Sequence, residues 1–138
     1  MVRQVKHLTD DSVVVVEVSG QINQDDLVET FTAGITTAQE HCFKRILIDA
    51  REVTITSSAT QLYSLPKLLH EQGLTRAHKV AILFSGDSEA SKDLSFLETI
   101  FFNRGFPMRL FAERAEAMKW LKRERHRADT KAQSAASS

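Results

Sequence analysis

Residues 43–62 read Phe-Lys-Arg-Ile-Leu-Ile-Asp-Ala-Arg-Glu-Val-Thr-Ile-Thr-Ser-Ser-Ala-Thr-Gln-Leu, and this stretch decides the fold class. Its apolar run ending in Ile46-Leu47-Ile48-Asp49 reads as a strand over Phe43 to Asp49. A short loop follows, and Ser58-Ala59-Thr60-Gln61 has the spacing of a helix capping box. A strand that stops on a carboxylate and hands over to a hydroxyl-capped helix is how open α/β domains build a site at the carboxyl ends of their strands.

Upstream, Val2 to Leu8 alternates weakly between apolar and polar residues, and Thr9-Asp10-Asp11-Ser12 supplies turn chemistry. The unbroken Val13–Val16 run with Val18 then predicts an antiparallel hairpin whose second strand is buried on both faces. Asn23, followed by Asp25 and Asp26, predicts a helix N-cap with carboxylates at the positive end of the helix dipole. Leu27, Val28, Phe31, Ile35 and Ala38 recur at helical spacing behind it.

Downstream, Leu62, Leu65, Leu68 and Leu69 form the stripe of a second helix. Pro66 within it predicts a kink, or a restart with Ser64 as a second cap. Val80 to Phe84 reads as a fourth strand, left through Ser85-Gly86-Asp87-Ser88. A third helix is expected from about Glu89 to Asn103, with Gly105 as a left-handed C-cap and Asp87 or Ser88 as its N-cap. Met108 to Phe111 completes the sheet, and Glu113 to about Arg125 makes a last helix with Ala117, Trp120 and Leu121 facing inward.

The order β-β-α-β-α-β-α-β-α predicts an α/β domain with a mixed, mostly parallel five-stranded sheet and about four helices. Residues 1–126 are expected to form that single domain. Residues 127–138 contain no apolar side chain larger than alanine and are expected to form a flexible tail.

The chain has 138 residues, 42% of them apolar and 26% charged, which suits one core. Eighteen basic residues against eighteen acidic ones leave no net field to draw in nucleic acid or an acidic membrane, so no nucleic-acid partner is expected. The basic run Lys119, Lys122, Arg123, Arg125 and Arg127, broken by Glu124, reads as a solvated helix face. A single cysteine, Cys42, cannot form an internal disulfide and fits a reducing compartment. We expect it to be a buried, inert thiol. No secretory signal or transmembrane segment is apparent, so a cytoplasmic location is expected.

Asp49 and Asp87, with Arg51, Ser57, Ser58 and Ser85, are expected to converge on one rim. The two carboxylates there either act on a ligand or serve loop amides and helix caps. No doublet of acids completes a magnesium site, so no metal or cofactor is expected. Ser57 and Ser58 either cap the second helix or present a hydroxyl to a partner, or to a phosphoryl group that the helix N-terminus would favour. His7, His41, His70, His78 and His126 are scattered over different elements. No nucleophile elbow, phosphate-binding loop or dinucleotide turn is present, and no catalytic residues are assigned.

The third helix carries more apolar surface than one sheet face needs. Phe96, Ile100, Phe101 and Phe102, with Phe106 beyond, either fill a small core, form a partner surface, or wall an apolar pocket.

The hairpin start, Leu47-Ile48-Asp49 before a Ser-rich helix start, Lys79-Val80-Ala81-Ile82, and the closing Asn103-Arg104-Gly105, Arg109-Leu110-Phe111 and Glu116-Ala117-Met118-Lys119-Trp120-Leu121 resemble the SpoIIAA-like proteins. These are grouped with STAS domains and, by fold, with CRAL-TRIO lipid-transfer domains. The likeness spans Val2 to Leu121. In the anti-sigma antagonists of this group an Asp-Ser-Ser/Thr-Gly loop carries a phosphorylated first hydroxyl. Ungapped counting from Asp49 sets Ser57 at the Asp, Ser58 at the acceptor, Ala59 at the second hydroxyl and Thr60 at the Gly, so only the acceptor is kept. The resemblance implies a non-enzymatic regulatory module that binds a protein partner or a second copy of itself, with Ser58 as candidate phosphoacceptor. The alternative it implies is a carrier or sensor of a lipid or other apolar small molecule.

Overall fold

Val13, Val14, Val15 and Val16 are all at most 1% exposed, and that burial on both sides places the second strand deep inside the sheet. A computed structural model describes residues 1–123. Its elements are β1 (Val2–Leu8), β2 (Val13–Ile22), α1 (Gln24–His41), β3 (Arg45–Ile55), α2 (Ala59–Glu71), β4 (Lys79–Leu83), α3 (Ser91–Asn103), β5 (Met108–Phe111) and α4 (Arg114–Lys122). The strands lie in the order β1-β2-β3-β4-β5, with β1 antiparallel to β2 and every other pair parallel. This is the mixed α/β architecture expected from the sequence. The expected tail, 127–138, lies outside the described residues.

Side chains alternate across the sheet and create two cores. Val14, Val16, Ile46, Ile48, Val80, Ile82 and Met108 face α1, α2 and α3, whereas Val13, Val15, Leu47, Ala81 and Leu83 face α4 through Ala117 and Leu121. Three helices therefore cover one face and one helix partly covers the other.

The predicted N-cap at Asn23 and the predicted capping box at Ser58 both form, and Asn23 completes a capping box of its own. Asn23 and Asp26 exchange side-chain and backbone hydrogen bonds at 2.9 and 3.0 Å, and Ser58 and Gln61 do so at 3.2 and 2.9 Å. Gly105 (φ +82) closes α3 as expected, with the Phe106 amide donating to the Phe101 carbonyl at 2.9 Å.

Three local expectations are corrected. β3 does not end at Asp49: Ala50 to Ile55 continue as strand, because Ser19 to Ile22 of β2 extend alongside them. α2 runs through Pro66 without a restart; the ring is buried, and the Ser64 hydroxyl donates to the Gln61 carbonyl at 2.9 Å instead of capping a new helix. α3 begins at Ser91 behind Ala90, and neither Asp87 nor Ser88 caps it. The Ser88 hydroxyl turns back to the Ser85 carbonyl at 2.7 Å, which removes it from the helix amides.

Candidate functional site

Asp49 sits in the middle of the β3 register, between Glu17 of β2 and Leu83 of β4. Just beyond it the pairing slips, since one residue of β2 (Val18) lies opposite two of β3 (Ala50 and Arg51). Arg51, two residues on, lies beside Asp49. Its guanidinium grips the carboxylate in a two-pronged pair, Nε to Oδ1 at 3.0 Å and Nη2 to Oδ2 at 2.7 Å, and the Arg51 amide adds a longer bond at 3.3 Å. The bonds from Arg51 hold the Asp49 pKa below its ordinary value against the opposing effect of burial. A carboxylate so occupied is an anchored anion and a poor proton acceptor.

Ser57 and Ser58 do not join it. Ser57 and Ser58 lie beyond the end of β3, and six extended residues from Asp49 to Ile55 span about 20 Å. Ser58 is exposed and its hydroxyl caps α2. Ser57 Oγ is enclosed with no hydrogen-bond partner among the described residues. Ser85 is half-buried and spends its carbonyl on Ser88, while Asp87 is exposed on the turn after β4. The α2 entry at Ser57 and Ser58 is thus a separate place from the sheet-face pair Asp49 and Arg51.

Around the first, the part of the sheet face that α4 leaves open forms a shallow hollow of about 270 Å³ lined by Val2, Gln4, Glu17, Ser19, Asp49 and Glu52. Lys6 reaches Glu17 at 3.4 Å. Among the described residues no group of three or more His, Cys, Asp or Glu is placed to hold a metal ion.

The aromatic cluster divides as well. Phe101 (0% exposed), Ile100 (4%) and Phe106 (6%) belong to the core, where Phe101 stacks with Phe31 and meets Phe106 edge-on, each at 6.1 Å. Phe96 and Phe102 are exposed, at 39% and 77%. Six residues apart on a helix, they lie about 120° apart, on opposite flanks of the buried stripe. Phe102 forms the lip of a surface groove of about 430 Å³ with Glu98, Thr99, Met108 and Arg109. Space in the core beside Phe31, Ile48, Ala50 and Leu94 amounts to only about 20 Å³.

Sequence reasoning missed three features. A D-x-R spacing on one strand would have flagged the Asp49–Arg51 clasp, since residues two apart share a face. Nothing local announced that Glu98 Oε2 accepts the Leu110 amide at 2.9 Å, or that the rings of His7 and His41 meet at 4.1 Å. Cys42, expected to be buried, is exposed because it occupies the left-handed C-cap of α1 (φ +59).

Three helices on one face of a mixed five-stranded sheet, one on the other, and a hydroxyl-capped helix after the third strand define an STAS-type domain. The chain belongs to the SpoIIAA-like family, which it matches over residues 13–122. Among solved structures it is similar to the anti-sigma factor antagonist SpoIIAA in its unphosphorylated form, with a TM-score of 0.52 and 18% identity over 88% of this chain and 98% of that one. It is also similar to an uncharacterised protein with a SpoIIAA-like fold from Shewanella loihica, with a TM-score of 0.55 and 21% identity over 87% of this chain and 92% of that one. At such identities the likeness is one of fold. No curated protein sequence matches significantly.

Proposed function

We propose that this protein is a non-enzymatic regulatory module that works by protein recognition through the outer side of α3. The observation that carries this reading is Phe102, a large ring 77% exposed at the lip of a groove whose other walls are Met108 and the polar side chains Glu98, Thr99 and Arg109. Exposing a phenylalanine to water is unfavourable, and an apolar centre ringed by polar groups is how recognition surfaces are built. The similarity to an anti-sigma factor antagonist supports a regulatory role. So does the pairing of Asp49 with Arg51, which leaves that carboxylate little capacity for catalysis.

The alternative, carriage of an apolar small molecule, needs an interior cavity. The core space of about 20 Å³ beside α3 has room for about one water, which weighs toward protein recognition. Ser58 is the point at which a phosphoryl group would modulate binding, being exposed at the positive end of α2. Among the described residues no helix is long and apolar enough to cross a membrane.

Affinity capture from cell extract followed by native mass spectrometry tests the reading with wild type and Phe102→Ser side by side. A protein retained by wild type and lost by the variant supports it. A partner retained equally by both, or steady turnover of a metabolite abolished by Asp49→Asn, overturns it.

A further inference from the structure

The sheet has two edges, and they are built differently. β5 is four residues long, and the Glu98 carboxylate takes the Leu110 amide at 2.9 Å, so an incoming strand would meet an occupied donor. β1 is seven residues long, has no proline, and pairs with β2 without a register slip from Val2 to Leu8. Six of its seven residues are exposed. Among the described residues nothing hydrogen-bonds to its outer backbone. Of the six exposed large apolar residues described, Met1 (46%), Val2 (71%) and Val5 (36%) lie on or beside this one strand.

We propose that β1 is a self-association edge, two copies pairing β1 against β1 antiparallel about a two-fold axis at Val5. This takes up the self-association side of the preceding reading but uses a different surface from α3. The register argues for a second copy as the occupant. About that axis Val5 meets Val5, Val2 meets Leu8 and Gln4 meets Lys6, each pair sharing a face of the joined sheet. Arg3 meets His7. Apolar residues thus oppose apolar ones, and no two residues with permanent like charges are opposed. The two permanent charges of the strand, which on an edge would otherwise repel a partner, are drawn back onto their own subunit: Arg3 toward Glu29 of α1 at 3.7 Å, and Lys6 toward Glu17 at 3.4 Å. The product is one continuous sheet of ten strands with the two α3 faces at its outer ends. A strand pair alone is a small interface, so the dimer should be concentration-dependent.

Sedimentation velocity across a concentration series, on the full chain, tests this with wild type, Val5→Lys and Phe102→Ser. Wild type and Phe102→Ser should dimerise alike, while Val5→Lys, which sets two ammonium groups face to face, should weaken the dimer roughly tenfold or more. The axis is then fixed by cross-linking in a Cys42→Ser background. Val5→Cys should form a covalent dimer under mild oxidation, because directly opposed residues stand within disulfide reach, whereas Gln4→Cys should not pair with itself. Wild type that stays monomeric throughout overturns the proposal. A dimer lost in Phe102→Ser and kept in Val5→Lys also overturns it, and leaves recognition through α3 standing. Normal dimerisation with loss of captured partner in Phe102→Ser supports both.

Discussion

Lys79, the first residue of β4, directs its Nζ to the Trp120 carbonyl at 2.7 Å and over the Trp120 ring at 4.7 Å from its centre. The same ammonium reaches the Arg123 carbonyl at 3.0 Å. Free carbonyls at a helix C-terminus carry partial negative charge, so the lysine fastens the end of α4 to the sheet by charge as well as by hydrogen bonds. α4 is the helix that covers Leu47, Ala81 and Leu83, and this contact therefore holds one side of the core closed.

Lys79→Met should accordingly destabilise the protein by about 1–2 kcal/mol, combining loss of a charged hydrogen bond with loss of the cation–π contact. Denaturant unfolding followed by the fluorescence of Trp120, the sole tryptophan, measures this directly. A midpoint unchanged from wild type would show that the apolar packing of α4 and its other contacts hold it without Lys79.

Ser58→Ala should lower stability by about 1 kcal/mol, because the Gln61 amide loses its acceptor. Ser58→Asp should restore it, since Asp caps equally well and adds charge at the positive helix end. If Ser58→Asp also abolishes partner capture while keeping the thermal midpoint, the effect lies in recognition and not in folding.

His78 is 2% exposed, and burial, reinforced by the nearby Lys44 charge, pushes its pKa below the ordinary 6.5. Its Nδ1 accepts the Thr75 amide at 3.0 Å, which fits the neutral ring. The unfolded chain therefore binds a proton more readily than the folded one, and stability rises with pH. The expected result is full stability above about pH 6.5 and progressive loss below it. Unfolding free energies from pH 7.5 down to 5, with and without His78→Gln, check this; an identical slope in both proteins would remove His78 as the cause.

Arg51→Ala should let the Asp49 pKa rise, because the guanidinium bonds that lower it vanish and burial remains. In wild type the contribution of the pair is present above the ordinary carboxylate value of 3.8 and is lost as pH falls below it. The stability change at neutral pH should stay below about 1 kcal/mol, since the Arg51 side chain is 45% exposed and screened by solvent. Carboxyl-resolved NMR titration reads the pKa, and an unmoved value would mean that the strand backbone, not Arg51, sets it.

The sequence by itself determined the order of elements, the N-cap at Asn23, the capping box at Ser58, the Gly105 stop and the apolar stripe of α3. Each of these follows from side-chain periodicity or from hydrogen bonds made within a few residues, so neighbours in the chain suffice to specify them. Only the tertiary structure decided that Asp49 and Ser58 belong to different places. Residues 50–55 carry Arg51 and Glu52 and read as loop. They become strand because Ser19 to Ile22, some thirty positions earlier, supply the hydrogen-bonding edge, and Val53 and Ile55 gain a core to enter. The division of the phenylalanines was likewise tertiary: periodicity marked an apolar helix, but which flanks stayed in water depended on where Phe31, Phe106 and β5 came to rest. The unequal sheet edges have the same origin, since strand order and the reach of Glu98 to Leu110 exist only once distant segments are packed.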